Sequence, residues 1–208
     1  MLLQHPFEAL TTSVDGECLA VLAKAEHEFT ASRLVPLLKK KRSLSGVRNA
    51  LDRLADQGVV EMRHVGNVKS YTLNRSHLLA PAIIAIATVR DRFLEQATDE
   101  LLHWRPTPIY AALFGSAARG EMRADSDIDL LLVRPDDADI ALWADQMAHL
   151  QRLVTSWTGN DTRVLDFSEQ EVRDHAMTDP VLREIAREGI GLIGPTSWLR
   201  RLTTKQAS

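Results

Sequence analysis

Two aspartates separated by one apolar residue, Asp127-Ile128-Asp129, open the run "DIDLLLV". Its aliphatic tail predicts a buried strand. Side chains two apart in a strand share a face, about 6.6 Å apart for two rises of about 3.3 Å. At an effective dielectric near 20 the two carboxylates would repel by roughly 2.5 kcal/mol. The next four residues, Leu130 to Val133, offer no cation. A divalent metal between or beside the two oxygens explains such a pair, and hard carboxylate oxygens suit Mg²⁺ or Mn²⁺.

The element just upstream supplies complementary chemistry. "IYAALFG" predicts a second buried strand, and "GSAARG" a turn into a short helix. Gly115 lacks a side chain, so a phosphate can approach its backbone. Ser116 offers a backbone N–H and a hydroxyl to phosphate oxygens, and the start of the helix adds a partial positive charge. Arg119 is positioned to contact phosphate or an acceptor, and a plain surface arginine is an equally ordinary role. Asp125 and Ser126 shape the turn. His149 and His175 fall in helical stretches without ligand partners at a recognisable spacing, so both are expected to be structural.

Gly115-Ser116, ten residues, then Asp127-Ile128-Asp129 resembles the nucleotidyltransferase superfamily associated with DNA polymerase beta, and "FGSAARG…DSDIDLLLV" is similar to its minimal members. The resemblance covers roughly residues 104–195, and "VLREIAREGIGLIG" is similar to the helix–strand ending of those members. It implies a mixed-sheet fold, a nucleoside triphosphate as substrate and a third carboxylate on a later strand. The natural match for that acid is Asp166 in "TRVLDF"; the other roles open to it are a loop-edge acid or a cap for "SEQEVRDHA", which Ser168 can also cap. Two Mg²⁺ (or Mn²⁺) ions are then expected. One, on Asp127 and Asp129, would bind the triphosphate. The other, shared with Asp166, would activate an acceptor hydroxyl, or Asp166 would act as general base.

The N-terminal part has a different pattern. Thr30 can cap a short helix that Pro36 kinks or ends. In "SLSGVRNALDRLADQG", Val47, Ala50, Leu51 and Leu54 fall at the spacing of one buried helical face. Ser43 or Ser45 can cap that helix and Gly58 can end it. "VVEMRH" and "VKSYTL" around "VGN" predict a hairpin. Three helices and a hairpin resemble bacterial winged helix-turn-helix regulators of the MarR/ArsR type. That resemblance implies double-stranded DNA as a partner. Ser45, Arg48, Asn49 and Arg53 would face bases or phosphates. Arg63, His64, Asn67 and Lys69 would lie on or near the wing, and "KKKR" at 39–42 could neutralise phosphates. Winged helices also dock proteins, which is the competing role.

The expected organisation is α+β: a winged helix-turn-helix over 1–75, one linking helix over 76–104, the nucleotidyltransferase domain over 105–195 and a tail over 196–208. Residues 1–80 hold 11 Lys/Arg against 8 Asp/Glu, and residues 81–208 hold 14 against 20. A basic first part joined to an acidic second part suits two units with different partners. The single cysteine, Cys18, excludes an intramolecular disulfide and fits a reducing cytoplasm. No apolar run is long enough for a membrane span, and "MLLQHPFEAL" lacks the pattern of a secretory signal. The acceptor stays open between a protein hydroxyl, an RNA end and a small molecule. The apolar stripe of the linking helix is wide enough for a homodimer. Two other functions stand beside transfer: a regulator whose second domain only senses nucleotide, and a protein-docking module.

Overall fold

The computed structural model describes residues 1–204, the side chain of Val65 excepted. The chain divides into two compact units, one from Gln4 to Arg90 and the other from Asp91 onward.

The first unit runs α1 (Val14–Ala23), β1 (Phe29–Thr30), α2 (Ala31–Leu34), α3 (Leu44–Asp56), β2 (Val60–Val65), β3 (Val68–Leu73) and α4 (Ala80–Ala87). This is a winged helix-turn-helix, with a three-stranded antiparallel sheet in the order β1-β3-β2. The caps explain where the helices begin. Ser13, Thr30 and Ser43 each accept a bond from the backbone N–H three residues on, satisfying a donor the helix leaves free. Pro36 ends α2 in a 3₁₀ turn over Val35–Leu37. Val47, Ala50 and Leu51 of α3 are fully buried with Cys18, Leu22, Leu34 and Tyr71. Burial pushes the Cys18 thiol up to about 12, so it is an inert core residue.

The expected single linking helix is two. α4 stops at Ala87, and α5 (Val89–Leu102) starts afresh. Thr88 marks the break, its hydroxyl donating 2.9 Å to the carbonyl of Ile84, a back-bond that competes with helical continuation.

The second unit carries a four-stranded mixed sheet in the order β6-β5-β4-β7, from β4 (Tyr110–Phe114), β5 (Ile128–Arg134), β6 (Thr162–Ser168) and β7 (Ile190–Ile193). β5 is parallel to β6 and antiparallel to β4. Around it lie α6 (Gly115–Arg119), α7 (Ile140–Thr158), α8 (Glu169–His175), α9 (Pro180–Glu188) and α10 (Ser197–Thr203). Ile128 and Leu130 to Val133 are fully buried, as a central strand covered on both faces requires. Leu131 and Val133 pack with Val172, Leu182, Ile185 and Leu199 from α8, α9 and α10. The segment expected as a tail therefore forms a packed helix as far as Thr203. The opposite face lies against α7, where Trp143 meets Trp104 edge-on at 5.1 Å. Among the described residues no helix is long and apolar enough to cross a membrane.

Candidate functional site

The geometry follows from strand pairing. Phe114, the last residue of β4, pairs with Asp129 near the start of β5. The chain turns immediately at Gly115 into α6, so that turn lies against the Asp129 side chain. Gly115 adopts φ +66°, and a Cβ placed there would lie 2.4 Å from Oδ2 of Asp129. Two independent constraints thus demand glycine: the left-handed backbone and the carboxylate pressed against it. Ser116 follows in the first turn of α6.

Asp129 is partly buried, and no hydrogen bond or ion pair reaches its carboxylate among the described residues. Burial raises its pKa, the charge on Asp127 adds to the rise, and Arg163 and Arg119 oppose it. The repulsion read from the spacing is therefore present at Asp129. The counter-charge that the next four residues lack comes from β6. Arg163 is the register partner of Asp129, and its guanidinium lies 2.8 Å from Asp127. It escaped the sequence reading because it is 34 residues from Asp129, and only the β5–β6 register joins them.

A buried asparagine also went unnoticed. Asn160 donates 2.8 Å to the carbonyl of Ser126, and the backbone N–H of Ile128 bonds to Asp161. The turn before Asp127 is thus clasped to the loop before β6. The only available signal was a polar residue between Gly159 and the apparent strand. Ser126 accepts from the Arg123 backbone N–H at 2.8 Å, so it shapes the turn as expected.

Asp166 must be corrected. It lies in a strand as expected, but it pairs in register with Leu132, three residues beyond Asp129 and so about 10 Å along the strand. Its parity matches Leu132 and Arg134, which places it on the opposite face of the sheet from Asp129. There it accepts from the Trp143 indole N–H at 2.9 Å and from Arg134 at 2.6 Å. Burial raises its pKa, while these two partners pull it down. It anchors α7 to the sheet, and Ser168 caps α8 in a capping box with Glu171.

The expected donor set for two metal ions is therefore incomplete. Among the described residues, no group of three His, Cys, Asp or Glu side chains could hold a metal. A single ion is different. Asp129, partly buried and without a partner, next to Asp127, fits one Mg²⁺ or Mn²⁺ completed by phosphate oxygens, since Mg²⁺ is often held by one or two carboxylates plus substrate. Arg119 is committed elsewhere: its guanidinium lies 3.0 Å from Glu121, 2.8 Å from Glu184 and 3.4 Å from Glu188. It ties α6 to α9 instead of standing open to a nucleotide.

In the first unit, Ser45, Arg48 and Asn49 are exposed on α3. Arg48, Thr30, Ser32, His64, Asn67 and Lys69 line an open cleft of about 420 Å³. Other basic side chains chosen for DNA have acidic partners. Arg53 makes a two-pronged contact with Asp15 at 3.0 and 2.8 Å. Lys69 lies 2.9 Å from Asp52, and Arg63 is 3.4 Å from Glu28 and 3.7 Å from Glu61. In "KKKR", Lys39 pairs with Glu8 and Arg42 with Glu17.

Residues 96–191 match the family model described as "Polymerase beta, Nucleotidyltransferase". The second unit carries a polymerase beta-type nucleotidyltransferase domain. Two solved toxin–antitoxin structures are similar to part of this chain. One, with AMP-PNP, is 18% identical, covers 54% of this chain and 80% of its own, and has a TM-score of 0.38. The other, MntA-HepT, is 19% identical over 54% and 80%, with a TM-score of 0.36. TrmBL2, an archaeal chromatin protein, is 13% identical over 90% of this chain and 78% of its own, at 0.31. No curated protein matches the chain.

Proposed function

We propose that the protein binds a nucleoside triphosphate with one divalent ion at Asp127 and Asp129, and transfers its nucleoside monophosphate to an acceptor hydroxyl, whose oxygen bonds the α phosphorus as the bond to the leaving pyrophosphate breaks and whose proton passes to solvent. The observation that carries this reading is the Asp129 carboxylate, partly buried, unpartnered and pressed against Gly115. Bound Mg²⁺ or Mn²⁺ would supply charge neutralisation for the triphosphate. The chain's own residues do the rest. Asp127 and Asp129 hold the cation, and repulsion between them falls as they do so. Gly115 keeps the approach to the pair free of side-chain atoms. Ser116 offers its hydroxyl and N–H to phosphate oxygens.

We further propose that the winged helix binds double-stranded DNA, with Ser45, Arg48 and Asn49 towards the bases and Arg53, Arg63 and Lys69 towards phosphates. Each of the last three must first leave a carboxylate. The combination suits a regulatory or toxin–antitoxin role in the cytoplasm, with a protein or RNA acceptor and a homodimer as the assembly to test.

A second reading is favoured by the position of Asp166. With no third acid beside the pair, the domain lacks an evident base for the acceptor, and nucleotide would be sensed without transfer. Incubation of the protein with labelled ATP, CTP, GTP and UTP and cell extract separates the two. Label moved to an acceptor supports transfer, saturable binding without transfer supports sensing, and no binding of any nucleotide overturns both. A salt-dependent shift of promoter DNA supports DNA binding; no shift at low salt favours protein docking by the winged helix.

A further inference from the structure

We infer that Arg163 is a triphosphate-binding residue that takes the place of a second metal ion, so that the site works with one divalent cation. The inference rests on the proposed nucleotide binding and deepens it. On β6 the side chains sharing a face with Asp129 are Arg163, Leu165 and Phe167, paired in register with Asp129, Leu131 and Val133. Leu165 and Phe167 pack into the apolar core. The one polar group that β6 presents beside the acid pair is therefore a guanidinium, and it stands where a third carboxylate would be needed to hold a second ion.

Charge balance runs the same way. Two ions bring four positive charges and are held by three acids in the two-metal arrangement implied by the resemblance. Here two acids face one fixed cation. One divalent ion plus Arg163 gives three positive charges against two carboxylates and the triphosphate. A second divalent ion would have to displace Arg163, and among the described residues no third acid joins the pair in a group able to hold it.

The guanidinium is also able to move. Its side chain is 76% exposed, and Asp127 is its ion-pair partner. The Asp127 side chain is 23% exposed, so solvent screens the pair chiefly from the arginine side, and the guanidinium keeps room to swing away. Once a cation takes over Asp127, the guanidinium is released at the mouth of the site, with its fork of donors suited to bidentate phosphate contact. In the empty site Arg163 masks Asp127; in the loaded site it turns to the triphosphate.

The test counts bound ions and measures two affinities. Mn²⁺ alone, then Mn²⁺ with each of the four nucleoside triphosphates, is titrated into the wild-type chain, Arg163→Ala and Arg163→Asp. Free Mn²⁺ is read by electron paramagnetic resonance, and folding is checked by circular dichroism. Wild type is expected to hold a single Mn²⁺ with nucleotide. Arg163→Ala should bind Mn²⁺ alone several-fold more tightly, because Asp127 loses its competitor, yet bind the Mn²⁺–nucleotide complex about tenfold more weakly. Arg163→Asp should admit a second Mn²⁺. Two ions in the wild type, or unchanged constants in Arg163→Ala, would overturn the inference. Failure of the proposed function looks different. Wild type would then bind no nucleotide, which removes the triphosphate role of Arg163, while tighter Mn²⁺ binding by Arg163→Ala would still show that it masks Asp127.

Discussion

The two units treat their chemically important charges in opposite ways. On the winged helix, Arg53 and Arg63 are largely solvent-exposed, Lys69 is half-buried, and each already faces a carboxylate. In the nucleotidyltransferase domain, Asp129 is partly buried and has no partner, and burial with the neighbouring Asp127 raises its pKa. An exposed charge with a partner needs nothing more. A buried charge without one is an electrostatic cost that a ligand can relieve. The second unit therefore holds the stronger claim to a preformed site, and in the first Arg53, Lys69 and Arg63 must exchange partners before they take a new ligand.

The largest expected effect breaks the second unit's half of this contrast. Replacing both Asp127 and Asp129 by Asn should abolish Mn²⁺ binding and lower nucleotidyl transfer by roughly a thousandfold or more, as expected from losing several kcal/mol of charge stabilisation. Circular dichroism should show the fold intact. Asp166→Asn is the control: it should leave Mn²⁺ affinity unchanged, because that carboxylate serves Trp143 and Arg134 on the other face. Equal loss in both variants would sink the assignment.

Gly115→Ala comes next. A left-handed backbone at a non-glycine residue costs about 1–3 kcal/mol, and the new Cβ must push the Asp129 carboxylate aside. Chemical denaturation should show a loss of that size, with weaker Mn²⁺ binding accompanying it.

On the winged helix, Arg48→Ala should weaken DNA binding. If Arg48 contacts phosphate, the salt slope falls by about one; if it reads a base, the cost is about 1–3 kcal/mol and specificity relaxes. Asp15→Ala sharpens the comparison from the other side. Freed from its acidic partner, Arg53 should bind DNA a few-fold more tightly, at a stability cost of about 0–1 kcal/mol. Fluorescence anisotropy at two salt concentrations reads both.

The smallest effect is a pH dependence. Asp129 has a raised pKa in the folded chain, so the folded state holds its proton over a range where the unfolded state has lost it. Stability from this group is complete below the ordinary aspartate value and is lost as pH rises through the folded one. Asp129→Asn should therefore melt higher than wild type at neutral pH, by roughly 2–4 °C per kcal/mol relieved. That gap should close on acidification below the ordinary aspartate range.

Local patterns were legible in the sequence. The period of two places Asp127 and Asp129 together, the apolar run marks β5 as central, and caps such as Ser43 and Thr30 sit where their residue types belong. What depends on pairing between distant segments was not legible. Whether Asp166 or Arg163 faces the acid pair turns on the β5–β6 register, and a shift of one residue exchanges one face for the other. The break at Thr88 was hidden for a related reason. Neither glycine nor proline stands there, and the local mark of the break is a hydroxyl bonding back to Ile84.

Asn160 adds a mechanical consequence. Its side chain holds the carbonyl of Ser126, next to Asp127, while its own backbone lies two residues from the start of β6. One asparagine thus pins together the two stretches of chain from which Asp127 and Arg163 project. A displacement of this junction carries both side chains as a pair and leaves the gap between them nearly constant. Their ion pair is then opened by a ligand competing for the charges, rather than by the backbone pulling them apart.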